Sequence, residues 1–249
     1  MELFGEAITW LADPASWTDP RNGIPLRLWE HVTLSAASLL VAGMIALPLG
    51  LWIGHTGRGG AAVIAIANIG RAVPSVGWLG IVFPFTLAVF GRGGLGFLPS
   101  LIALVALAIP PMVTNTYAGL REVDRDLVEA GRGMGMREME VLRTVEVPVA
   151  LPVILAGIRV SALQTVATAT LATIVGGGTL GQFIVQGIFT RDLDRVIGAA
   201  ILVAVLALLT ELAFSWIQRR AISPGLSGRT AWSPMEPSQM GRPAEGPYI

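Results

Sequence analysis

Apolar blocks long enough to cross a bilayer recur along this chain, and no other feature limits its fold as much. A block of about 18 or more apolar residues spans a hydrocarbon core of roughly 30 Å as a helix. Only helices and closed barrels satisfy their own backbone polar groups in that medium. The runs lie at about 32–53, 61–90, 99–117, 151–175 and 196–217. Charged residues make up 14% of the chain, against roughly 25% in an average soluble domain. The expected fold is therefore all-α and integral to the membrane, with five spans.

The second run is the irregular one. It carries Arg71, Pro74 and Pro84 and exceeds a single straight span, so it reads as one kinked helix; two shorter helices in its place bring the spans to six. The third run holds the pair Pro110 and Pro111 late in its length, tolerable where neighbouring helices satisfy the freed carbonyls.

Orientation follows from arginine, the sole basic side chain besides histidine because the chain has no lysine. With the N-terminus outside, the inner segments hold Arg58, Arg121, Arg125, Arg132, Arg137, Arg143, Arg219, Arg220, Arg229 and Arg242, and the outer ones Arg21, Arg27, Arg92, Arg191 and Arg195. Ten against five favours this topology, because cytoplasmic loops hold the excess of basic residues. The first basic residue is Arg21, so the start lacks the charged region of a cleavable signal, and 1–27 read as an extracytoplasmic, interfacial segment with Trp10 and Trp17. The Pro-, Ser- and Gly-rich tail of 218–249 reads as cytoplasmic and disordered.

Several chemistries are excluded or unsupported. Without lysine there is no phosphate-binding P-loop, and without cysteine no thiolate nucleophile or zinc–thiolate site. His31 and His55 flank opposite ends of the first span, roughly 35 Å apart at 1.5 Å per residue, and cannot share a metal. Zero net charge argues against nucleic acid. Two matches to G-x-G-x-x-G, at Gly91, Gly93 and Gly96 and at Gly176, Gly178 and Gly181, follow spans instead of strands and read as flexible outer loops. No catalytic, metal or cofactor site is expected in this chain.

Between Arg121 and Glu146 the character inverts, with twelve of twenty-six residues Arg, Asp or Glu. Leu127, Val128, Ala130 and Met134, and then Met139, Val141, Leu142 and Val145, recur near helical spacing, with Gly133 and Gly135 between them. The pattern predicts helix, glycine break, helix, lying in water with a small apolar ridge, and Pro148 closing the insert just before the fourth span.

Glu129, Ala130 and Gly131, then Gly135, then Val145, Val147 and Pro148 stand at the spacing of the E-A-A, three residues, G, nine residues, I-x-L-P signature. The segment thereby resembles the permease subunits of bacterial ABC importers of type I. Arg71 to Ser75, Thr114 to Asp124, Gly157 to Arg159, and Thr168 to Ala172 with Gly176 to Gly181 look like the glycine betaine, carnitine and choline branch. The resemblance implies a transmembrane domain over 28–217 in a bacterial inner membrane, with a coupling helix in 121–148 that docks on separate ATPase subunits. It further implies a second permease copy or paralogue and an extracytoplasmic substrate-binding protein as partners. An amino acid such as methionine, or another small solute, is the alternative cargo. A membrane scaffold or intramembrane enzyme is the remaining reading, and no catalytic constellation supports it.

Polar residues inside the spans divide between a path and packing. Arg71, Pro74, Ser75, Asn115, Gln164 and Thr168 are the candidate pathway or gating residues, although hydroxyls and amides equally bond across helices. Arg159 and Glu211, toward the inner ends of their spans, read as anchors.

Overall fold

In the computed structural model, residues 2–221 are described, and they contain helices and no strand. Two short helices, α1 (Glu2–Ala12) and α2 (Pro14–Thr18), precede α3 (Ile24–Thr56). Then come α4 (Gly60–Ala72), α5 (Ser75–Phe90) and α6 (Phe97–Arg121). The insert forms α7 (Arg125–Gly133) and α8 (Glu138–Val141), and α9 (Val147–Thr168), α10 (Gly181–Thr190) and α11 (Leu193–Ala221) follow. The last helix thus runs past the expected boundary at 217, and the tail beyond 221 lies outside the described residues. Five helical stretches are long and apolar enough to cross a membrane, and α4 is a shorter apolar helix beside them.

α6 is the hub of the bundle, packing against α3, α4, α5 and α9. Glycines set the spacing. A Cβ on Gly50 of α3 would lie 2.7 Å from Cβ of Thr116, and one on Gly157 of α9 would lie 2.6 Å from Cβ of Asn115. Without a hydrophobic force between helices in lipid, such small residues let the backbones approach and gain dispersion contact. Leu34 meets Leu104 near one end and Gly54 meets Leu120 at the other, so α3 and α6 run parallel. Gly119 packs on Ala150, and Ser161 Oγ donates to the Ala108 carbonyl at 2.8 Å, so α9 runs back antiparallel to them.

The burial pattern inverts that of a soluble protein. His31, Ser38, Thr86, Thr116, Ser161 and Thr165 are buried, while Leu40, Met44, Trp52, Ile66, Phe85 and Leu208 face outward. Ser38 turns back to Leu34 O at 2.8 Å and Ser100 to Gly96 O at 2.7 Å. His31 Nε2 instead joins α3 to the Val166 carbonyl of α9 at 2.8 Å.

The second run is a broken helix and not a kinked one. Pro74 has no N–H for the Gly70 carbonyl, and Val73 before it is pushed to extended backbone at φ −74°, ψ 121°. Trp78 Nε1 donates to the stranded Gly70 carbonyl at 3.2 Å. α4 starts with Gly60 against Tyr117 and ends with Gly70 against Pro110, near the middle of α6. α5 completes the passage, with Leu79 packed on Ala103. Together they make one crossing, which keeps the number at five.

The glycine-rich segments are packed turns, contrary to the flexible loops expected. Gly96, at φ 70°, donates its N–H to Val175 O at 2.8 Å, and a Cβ there would lie 2.9 Å from Gly176 O. The stretch between the fourth and fifth spans contains α10, whose Phe183 is buried with Ile24, Leu180 and Ala199. Trp10 of α1 stacks edge-on to Phe183 with centroids 5.3 Å apart and covers Gly198. These elements cap the end of the bundle opposite the insert.

Gly50→Val should force α3 and α6 apart, since its Cβ alone already lies 2.7 Å from Thr116 Cβ. We expect a loss of about 1–3 kcal/mol, read as a lower thermal midpoint in detergent. Gly43→Ala, where a Cβ meets nothing within 4 Å, should keep or raise the midpoint.

Candidate functional site

The charged insert folds onto the end of the bundle where α3, α6 and α11 finish. Asp124 starts α7 by accepting the Asp126 N–H at 3.0 Å, satisfying one of the free donors of a helix beginning. Val128 and Gly131 turn inward to Leu120, Val141, Leu142 and Ala150. Leu127, Ala130, Met134 and Met139 face out; Leu127 is 49%, Met134 71% and Met139 55% exposed. Of the apolar ridge expected from the sequence, these four form the outward row, while Val128, Val141 and Leu142 are buried and Val145 is half-buried.

Gly135 stands at φ 85°, in left-handed backbone that side chains disfavour, and its N–H closes the turn on Arg132 O at 2.9 Å. Arg132 reaches over the turn and grips Glu138 with Nε at 3.0 Å and Nη2 at 2.8 Å. This hydrogen-bonded contact holds the Glu138 carboxyl below its ordinary range and raises Arg132 further. Gly131 packs on Met136, Val141 and Val145, so its small size serves the insert's own interior. Ala130 is the exposed small residue of the pair, and Glu129 is exposed beside it.

Pro148 does not end the insert, as the sequence suggested. The chain stays helical from Glu138 onward, with a wide π turn at Leu142–Glu146 in which Val147 N–H bonds Leu142 O. A proline cannot donate to the carbonyl four residues back and its ring crowds it; widening the turn relieves that clash without breaking the helix. Val145 and Val147 are half-buried on this stretch and Pro148 is exposed.

One joint had no sequence signal. His55, at the end of α3, has Nδ1 2.5 Å from Glu146 Oε2 and Nε2 3.4 Å from Glu138 Oε2. The buried Glu146 and the Arg132–Glu138 clasp are thereby tied to the first span across 91 residues of sequence. A cleft of about 250 Å³ opens beside them, with Arg121, Arg125, Glu129 and Arg132 on its walls. No spacing rule connects position 55 to 146, so only the folded chain shows the contact.

The candidate pathway residues scatter. Ser75 and Thr168 meet at a small cavity between α5, α6 and α9. Arg71 is exposed and donates from Nη2 to Thr114 Oγ1 at 3.0 Å, while Pro74 is exposed at the break. Asn115 bonds the Pro111 carbonyl at 2.8 Å and packs on Gly157, the behaviour of packing glue. Gln164 is half-buried on α9, apart from the Ser75–Thr168 cavity. Arg159 and Glu211, read separately as anchors, form an ion pair joining α9 to α11, with Nε donating at 2.8 Å.

Residues 46–223 match the model of the family described as binding-protein-dependent transport system inner membrane component. The chain belongs to that permease family. Among its relatives, the carnitine transport permease protein OpuCB of Listeria monocytogenes is 36% identical over 199 residues, covering 80% of this chain and 88% of that one. The choline transport system permease protein OpuBB of Bacillus subtilis is 34% identical over 200 residues, covering 80% and 89%. A solved inward-facing structure of the MetNI methionine ABC transporter superposes with a TM-score of 0.72 at 26% identity, covering 80% of this chain and 96% of the matched one. As a member of the permease family the chain is a multi-pass transport subunit of a bacterial inner-membrane ABC importer. It is not an enzyme; ATP hydrolysis resides on a separate chain.

The two glycines of the insert should respond oppositely to alanine. A Cβ on Gly131 meets Met136, Val141 and Val145 at 3.5–3.6 Å, ordinary contact, so Gly131→Ala should keep or raise stability by up to about 1 kcal/mol. Gly135→Ala is strained at its positive φ and should cost about 1 kcal/mol. Thermal unfolding of the two purified variants checks the opposite signs.

Proposed function

We propose that this permease forms the path for a quaternary-ammonium compatible solute such as glycine betaine, carnitine or choline, imported at the expense of ATP bound by partner subunits. The observation that carries this reading is the likeness, over 80% of the chain, to permeases named for carnitine and choline. The chain is less similar, at 26% identity, to the methionine permease of its solved neighbour. An extracytoplasmic binding protein delivers the solute, and the path lies between two permeases, either identical or paired as paralogues. The outer side of α4 and α5 is thinly covered within one chain: Ile66, Ile69, Val76 and Ile81 are exposed there.

In this reading α7 and the turn after it dock into the ATPase. Leu127, Ala130 and Met134 offer an apolar edge, and Glu129 offers a carboxylate to basic groups or backbone donors. The insert faces the cytoplasm, in line with the arginine excess of its segment, and the N-terminal helices face outside. Movement of the docked insert reaches the spans by two routes: the continuous helix from Glu138 into α9, and the His55 contact into α3. A rigid element that both partners bias is the physical requirement for such coupling.

Reconstitution with the ATPase and the binding protein in vesicles should give ATP-dependent accumulation of at least one of the three solutes, lost when this chain is omitted. Accumulation of methionine with none of the three would reverse the choice of cargo. Met134→Arg and Glu129→Arg should each reduce ATPase co-purification and uptake by tenfold or more, on the order of the 1.4 kcal/mol a single interface charge can cost. Normal assembly and uptake in both would refute the docking role of α7.

A further inference from the structure

Arg71 is a cation set within the spans. Arg159 has Glu211, Arg27 has Glu30, and Arg132 has Glu138. Arg71 joins no ion pair among the described residues, and its hydrogen bond is to the neutral hydroxyl of Thr114. Its depth follows from packing. Gly70 beside it lies against Pro110, near the middle of α6 and far from either end of that span. The break at Val73 and Pro74 comes directly after it, so Arg71 sits on the last turn of a helix that stops inside the bilayer.

An exposed guanidinium at that depth is costly against lipid. It has to face water or another polar surface beside Thr114 of α6. Arginine stays charged, and its planar fork matches a carboxylate with two parallel N–H donors. A quaternary ammonium group offers that fork no acceptor and carries charge of the same sign.

We infer that Arg71 is a specificity-determining residue that engages the carboxylate of the solute in transit. The path is thereby suited to zwitterions carrying both a quaternary ammonium and a carboxylate, and works against a quaternary ammonium alcohol, which is a net cation. This rests on the function proposed above and narrows it: glycine betaine and carnitine are favoured cargoes, and choline is not. Thr114 holds the guanidinium ready without neutralising it, so the charge remains free for the solute. The solute's ammonium end, lacking hydrogen-bond donors, is left to apolar and aromatic surface.

The test uses the complete reconstituted transporter. Arg71→Gln should lower uptake of glycine betaine and carnitine about ten- to hundredfold, the range expected for loss of a charge-assisted hydrogen bond. Choline uptake should be unchanged or higher. Because the chain contains no cysteine, Arg71→Cys places a single thiol at the site when the partner chains are also cysteine-free. A cationic aminoethyl methanethiosulfonate should label it from water and restore glycine betaine uptake, whereas the anionic sulfonatoethyl reagent should not. Wild-type rates in Arg71→Gln, equal loss for all three solutes, a thiol closed to aqueous reagents, or rescue by the anion as good as by the cation would each overturn the assignment. Wild-type vesicles that accumulate no quaternary ammonium solute would overturn the proposed function itself, an outcome distinct from all of these.

Discussion

Close contact of α6 with α3 and α9 is the interaction on which the rest of the fold depends. In lipid the outward side chains gain nothing by hiding, so helices are held by what they touch and by the hydroxyls they share. Gly50, Gly119 and Gly157 remove side chains where backbones must approach, and Thr116, Asn115 and Ser161 fill the seams. With that trio set, the insert has a floor of Leu120, Ala150 and Ile154 to fold on, and the broken second span has a wall to lean against.

The insert is attached at more than its two ends. Glu138 is held by Arg132 across the glycine turn and also lies near His55, and Glu146 meets the same imidazole from the π turn. A force on α7 is thus shared between the start of α9 and the end of α3. A charged loop free in water would transmit none of it. The widened turn at Leu142–Glu146 allows Pro148 into a helix that stays continuous through the joint. Stiffness here is a product of hydrogen bonds between elements distant in sequence.

The second span shows how one residue type redirects a fold. Pro74 removes a donor and constrains Val73; the indole of Trp78 takes the abandoned carbonyl, and the chain crosses as two short helices. Ending a helix inside the membrane leaves Arg71 at mid-depth, exposed and hydrogen-bonded to Thr114 of α6. Arg159, equally charged and equally within a span, is neutralised by Glu211 and serves packing between α9 and α11. What separates the two arginines is the partner within reach, which residue type alone does not reveal.

Run length and composition by themselves determined membrane residence and the position of the charged insert, and left five crossings against six to the structure, because the cost of placing charge or an open backbone in hydrocarbon is local and additive along the chain. The spacing of Glu129, Gly135 and Pro148 carried the family, and the family match bore it out. Tertiary structure alone decided the break at Pro74, the packing of the two glycine-rich segments against each other, the inward turn of Gly131 and the meeting of His55 with Glu146. Those features depend on which surfaces come within a few ångströms of one another. Period and hydropathy say which face of a helix is buried, but not against what.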